Sequence, residues 1–426
     1  MMKRLAFFAS LVVLLVAGLL LAGCSNKKES TSQSDSGPVP GVTDTEIVLG
    51  THMPLSNSPA ATYGVVADGM KAYFEYVNSQ GGIYGRRIKF IVGDDHFAPA
   101  DAVEVVRKLV EQDGVFAIVG GLGDPTHLAV MDYLAERGVP DLFLGGGVVR
   151  FTEPVVKTRF AMTTDYETES KIMAQYLKDH FAGKTMGHLY QNDDAGRTGV
   201  DMLTQFLKDS DIKIISRQAY DFGQFDLTAQ MQRLKADNPD FVYLGANPGA
   251  AASAIKVSRE LLDWNVPFVT SAVSAVEITL QLAGDDNAEG MVSTTMGRMI
   301  SETDDPGVQR HIALMKQFAP GVAPSSLTEY GMGVAELTVQ ALKNAGPNLT
   351  RESVVEGAEN IRDFCGMTGM VPANLSPTDH RVSETMWFEK VVDGKWVRFG
   401  DPVSYESTPG KVIACNDGEP VYANGQ

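Results

Sequence analysis

Val115-Phe116-Ala117-Ile118-Val119-Gly120-Gly121-Leu122-Gly123-Asp124-Pro125-Thr126 is the stretch on which the fold turns. Five apolar residues stand in a row, without the alternation of a strand that shows one face to water. Glycines and a proline then break the run, and a helical pattern opens at His127 and continues to Glu136. A buried strand, a tight loop and a helix form the repeating unit of a parallel sheet covered on both faces.

The unit recurs in both directions. Strands are expected at 45–50, 87–93, 141–144, 185–190, 241–245 and 267–270. Helices are expected at 67–78, 100–112, 169–180, 198–208, 227–236 and 250–262. One sheet does not comfortably take this many units, so the expected class is α/β with two doubly wound parallel-sheet lobes. No internal repeat points to a solenoid. Near the C-terminus, Asp393-Gly394 separates the apolar-rich runs 386–392 and 395–399, a strong hairpin signal.

The N-terminus addresses the compartment. Lys3 and Arg4 precede an uncharged apolar run at 11–21, which closes on Leu21-Ala22-Gly23-Cys24 and turns polar at Ser25-Asn26-Lys27-Lys28-Glu29. That is the layout of a secretory signal. Cys directly after Leu-Ala-Gly resembles a bacterial lipoprotein signal, which implies cleavage and acylation at Cys24. The alternative, an uncleaved anchor helix, sits near the lower limit of the ~17–25 residues that span a bilayer. Residues 24–44 read as a flexible tether rich in Ser, Lys, Asp, Gly and Pro.

The remaining chain is long enough for about two to three domains. Its 44% hydrophobic and 21% charged residues are ordinary for a globular protein. The net charge of −17 argues against nucleic acid and anionic lipid as bulk-charge partners. With Cys24 assigned to lipid, Cys365 and Cys415 remain. An even pair outside the cytoplasm reads as one disulfide, the alternative being two buried thiols.

In open α/β sheets ligands bind beyond the carboxyl ends of the strands. The loops there are 120–126, 145–150, 191–196 and 246–249, all rich in Gly and small polar residues. Gly121-x-Gly123-x-x-Thr126 lacks the third glycine of a dinucleotide fingerprint. Asp124, Asn192, Asp193, Asp194 and the Asp94-Asp95-His96 run read as helix and turn caps rather than metal ligands. The seven His residues show no zinc spacing, and no Gly-x-Ser-x-Gly elbow occurs. The expectation is no enzyme, no cofactor and no metal.

Several segments then carry a resemblance along the whole chain. They are Pro54-Leu55-Ser56, Tyr63-Gly64, Asn78-Ser79-Gln80-Gly81-Gly82-Ile83-Tyr84-Gly85, Asp94-Asp95, Gln191-Asn192-Asp193-Asp194-x-Gly196 and Asp240-Phe241-Val242-Tyr243. Their order and spacing resemble the substrate-binding lipoproteins of ABC importers of the Leu/Ile/Val-binding type, the type I periplasmic binding proteins. The resemblance implies two lobes joined by three hinge crossings, near Thr164, Met296 and Met370. It divides the chain into a signal segment 1–23, a tether 24–44, one lobe from 45–164 plus 297–370, and another from 165–296 plus 371–426 with the hairpin and tail.

It also implies a small-molecule ligand between the lobes, a permease complex as partner, contact with the membrane only through the anchor, and a monomer outside the cytoplasm of a bacterium. A sensory module docking on a signalling partner is the alternative, and a secreted hydrolase or reductase a remote one. Candidate contacts are Ser56, Tyr63, Gly123, Asp124, Thr126, Gly147, Val148 and Val149 from the first lobe, and Asn192, Asp194, Asn247 and Ser271 from the second. In amino-acid binders hydroxyl residues near Asp124 and Val149 hold the ligand carboxylate, and an acid near Ala272 meets its ammonium. Here those positions are acidic, apolar and apolar, which implies a roomier pocket for an amino-acid-like solute, a small carboxylate or an amide. Arg150 is a further candidate for a carboxylate, its alternative being an exposed surface residue.

Overall fold

The computed structural model describes residues 38–366, 372–405, 412–416 and 419–422. Cys24, the expected signal segment and Met370 lie outside the described residues.

Two sheets organise the chain. The first holds β1 (Glu46–Met53), β2 (Arg87–Asp94), β3 (Ala117–Val119), β4 (Asp141–Leu144) and β5 (Arg159–Ala161), all parallel, in the order β2-β1-β3-β4-β5. The second holds β6 (Thr185–Gln191), β7 (Lys213–Tyr220), β8 (Phe241–Gly245), β9 (Phe268–Thr270) and β10 (Val292–Thr295), joined by β11 (Thr385–Val392) and β12 (Lys395–Ser404). Its order is β12-β11-β10-β9-β8-β6-β7, parallel except that β11 and β12 run as an antiparallel hairpin beside β10. Asp393 and Gly394, both at positive φ, close that hairpin between the paired residues Val392 and Lys395. The strand order reverses between β1 and β3 in one sheet and between β6 and β8 in the other. Such switch points open a crevice at the carboxyl ends of the strands.

Among the described residues, eleven helices accompany the sheets. On the first sheet, α1 (Val65–Ser79) meets α10 (Ser326–Ala345) and α11 (Arg351–Glu359), burying Met70, Phe74, Val334 and Leu342 against Ile47, Leu49 and Val119. Its other face takes α2 (Pro99–Arg107) and α3 (Asp124–Glu136), with Val106 and Leu134 on Val115 and Ile118. The parity of β8 decides the second core. Phe241 and Tyr243 face α4 (Tyr166–His180) and α5 (Asp194–Leu207), while Val242 and Leu244 face α6 (Thr228–Asp237), α7 (Pro248–Lys256) and α8 (Glu277–Ala283). The remaining helix is α9 (Pro306–Phe318).

The chain passes from the first sheet to the second between β5 and α4. It returns between β10 and α9, and crosses again before β11. This last crossing falls later than the expected position near Met370. Ala373, Leu375 and Val382 are still buried in the first core, and Ala161 bridges Arg381, so the passage lies at about Ser383. The tether also ends earlier than expected. Val39 and Val42 pack against the first core, and Val48 N–H donates to the Gly41 carbonyl at 2.7 Å. Cys365 is disulfide-bonded to Cys415, with a Cα–Cα distance of 5.4 Å. The bridge joins the segment after α11 to the small sheet of β13 (Val412–Asn416) and β14 (Glu419–Tyr422).

Candidate functional site

Between the sheets lies a cavity of about 580 Å³, walled by residues of both. Contacts cross it at several places. Tyr63 Oη donates to the Val273 carbonyl at 3.3 Å. Ser326 Oγ at the start of α10 donates to Glu277 of α8 at 2.7 Å. At the rim, the Phe97 and Phe222 rings sit 4.9 Å apart.

In the first lobe, Gly123 and Asp124 line the cavity from the start of α3, and Gly147 from the loop after β4. Asp124 does not cap its helix. One carboxylate oxygen accepts from Gly147 N–H at 3.0 Å, the other from Tyr166 Oη at 2.7 Å, and Val148 N–H adds a third bond. Burial nevertheless raises its pKa, and the charge of Asp193 in the opposite lobe adds to the rise.

Other candidates fall outside the wall. Ser56 Oγ turns away to Asp94 at 2.6 Å. Thr126 is fully buried and returns its hydroxyl proton to the carbonyls of Leu122 and Gly123. Val148 belongs to a satellite core with Phe151, and Val149 opens a short 3₁₀ turn beside it. Arg150 is exposed.

The first-lobe loops rest on an unusual support. His52 Nδ1 lies 2.7 Å from Asp95, His52 Nε2 lies 3.0 Å from His127 Nδ1, and His127 Nε2 lies 2.8 Å from Asp141. All four side chains are almost wholly buried. A Cβ on Gly121 would come within 2.5 Å of His52 Nε2, so only glycine fits over this chain. Asp94 accepts from Leu55, Ser56 and His96 and holds the neighbouring turn.

In the second lobe, Asn247 and Ser271 line the cavity. Asn247 caps α7 and donates its amide to Gln191 at 3.0 Å. Asn192 is exposed and is bonded to Asp221 and Arg197. Asp194 is the first residue of α5; Asp193, the α5 cap, lines the wall and accepts from Gly196 N–H and from Gln191. The acid at the foot of the pocket comes from another element. Glu169 of α4 reaches Ala272 N–H at 2.7 Å.

Sequence reading missed a buried polar end of the cavity. Arg298, on the second crossing, Glu329 and Glu336 of α10, and Glu389 of β11 all line it and are at most 5% exposed. A signal existed for Glu389: it interrupts an apolar strand between Phe388 and Lys390. Burial raises the Glu329 and Glu389 carboxyls well above the ordinary range. His188 in the wall is pushed down to about 3 by burial and stays neutral. Among the described residues, no group of three or more His, Cys, Asp or Glu is placed to hold a metal ion.

The sequence model of a family described as periplasmic binding protein matches residues 46–395. The chain belongs to that family. Periplasmic binding proteins are extracytoplasmic and capture solutes rather than transform them. Among curated relatives, this binding protein is 24% identical to Leu/Ile/Val-binding protein homolog 1 of Brucella abortus, covering 82% of this chain and 92% of that one. Two solved structures share its fold. One is a fatty acid ABC transporter substrate-binding protein from Thermomonospora curvata, with a TM-score of 0.77 and 22% identity over 88% of this chain and 97% of the other. The second is a branched chain amino acid ABC transporter protein from Thermus thermophilus with bound valine, with a TM-score of 0.78 and 17% identity over 85% and 97%.

Proposed function

We propose that this chain is the solute-binding lipoprotein of an ABC importer, anchored through Cys24, that captures a small organic molecule between its lobes and presents the closed form to a permease. The observation that carries the reading is the cavity itself, built from the carboxyl-end loops of two sheets and bridged from both sides. Each half supplies part of the wall, so a ligand that touches both stabilises closure. Tyr63 is the first-lobe contact, joined by Asn247 and Ser271 from the second lobe, all three being residues that line the cavity. No bond is made or broken in the cycle. The protein acts as a monomer.

A thermal-shift screen over amino acids, aliphatic and aromatic carboxylates, amines, amides and urea tests the capture step. A solute at ~100-fold excess over its Kd adds about 2.7 kcal/mol of apparent stability. Scattering on the best ligand is expected to show a smaller radius of gyration, and Tyr63→Ala to weaken its binding in calorimetry without unfolding the chain. A screen with no shift and no compaction would end this reading. Cys24→Ser is expected to move the protein from the membrane fraction to the soluble one.

A further inference from the structure

The polar end of the cavity has its own chemistry. Glu389 is fully buried, and neither carboxylate oxygen has a hydrogen-bond partner among the described residues. Glu329 is 3% exposed and has one such oxygen. Both feel the charges of Glu277 and Glu302, which Arg298 offsets in part at Glu329 and Arg398 at Glu389. A lone buried carboxylate costs several kcal/mol of desolvation unless a cation or donor meets it.

The cations at hand are engaged elsewhere. Arg398 stands opposite Glu389 in the β11–β12 ladder but forks onto Glu302 at 2.8 and 2.6 Å. Arg298 pairs with Asp305, the α9 cap, at 3.4 Å and donates to the Cys415 carbonyl. It is the only Lys or Arg in the cavity wall among the described residues, against Asp124, Glu169, Asp193, Glu329, Glu336 and Glu389. At the other end, the backbone N–H groups of Gly147 and Val148 form a ready anion site, and Asp124 already occupies it. A ligand carboxylate entering there would displace a protein carboxylate and then face it. Around both ends the wall is apolar, with Tyr63, Val276, Ile278, Leu282, Met296 and Met299.

Resting on the solute-binding reading above, we infer that the ligand is an organic cation: a protonated amine on an apolar body, its ammonium held at Glu389 and Glu329. Carboxylates are excluded by the same wall. The ammonium supplies the donors that the two carboxyls lack, and the apolar body replaces water along the cleft.

The test uses probes of one carbon skeleton: 3-methylbutylamine, 3-methylbutanamide and 3-methylbutanoate, titrated by calorimetry into the mature protein. The amine is expected to bind at least tenfold more tightly than the other two. Titration in buffers of different ionisation enthalpy is expected to show proton release, as the ammonium replaces a proton on a buried carboxyl. Glu389→Gln is expected to weaken the amine about thirtyfold, the loss typical of a broken buried charge pair. The same variant is expected to melt higher without ligand, because it removes an unpartnered buried acid; a merely structural residue would melt lower. Glu329→Gln is the second variant and is expected to act in the same direction.

Binding of the carboxylate as tightly as the amine overturns the inference, and so do unchanged amine affinity in both variants and silence of all three probes. In each case the cavity's role as a solute site is judged separately, by the wider screen and by compaction in scattering.

Discussion

Single side chains in this protein are set against their own solvation. Burial holds the carboxyls of Glu329 and Glu389 well above the ordinary value of 4.5. A carboxyl that binds its proton more tightly when folded contributes stability that is complete below about pH 4.5 and is lost as pH rises through its folded pKa. The ligand-free protein is therefore expected to lose stability relative to Glu389→Gln from mildly acidic to mildly alkaline pH, in paired thermal melts. Along the buried Asp95–His52–His127–Asp141 chain, by contrast, every ring nitrogen has a partner within 3.0 Å. The His52–His127 contact at 3.0 Å is its middle link. Gly121→Ala would press a methyl onto that contact. It is expected to lower stability by about 1–3 kcal/mol in urea titration, as overpacking does.

The elements were legible to very different degrees. Apolar runs such as 115–119 and 241–245 announce central strands, because burial on both faces leaves no polar position. β7 carries Lys213, Ser216, Arg217 and Gln218 at the sheet edge, and this polar mixture hides it. β5 is three residues led by Arg159, and β10 is four with Ser293, Thr294 and Thr295, so neither shows an apolar run. Two helices start earlier than their apolar pattern, at Asp124 and Pro248, because Pro125 and Pro248 in their first turns read as breakers. The site was legible as loops but not as side chains. Gly123, Gly147 and Asn247 follow strands directly, whereas Arg298, Glu329 and Glu389 come from a crossing, a helix and the hairpin, whose meeting depends on how the chain passes between lobes. The α1–α10 contact is fixed by a pair of glycines: a Cβ on Gly331 would lie 2.0 Å from the Val66 carbonyl, and one on Gly69 2.1 Å from that of Thr328. Gly331→Ala is expected to force these helices apart and cost about 1–3 kcal/mol, read as a lower urea midpoint.

At the scale of the molecule, three passages of one chain connect the lobes, and the last two bring the acidic end of the cavity to the crossings themselves. The Cys365–Cys415 bridge spans a separation of 50 residues, enough to restrict the unfolded chain by about 4 kcal/mol. That span contains the third passage, both strands of the hairpin and the exposed tip at Asp393. A protease that nicks the tip would sever the backbone yet free no fragment. The cut protein is expected to migrate as one band on a denaturing gel and as two once a reductant is added, with the hairpin strands still paired in the native state.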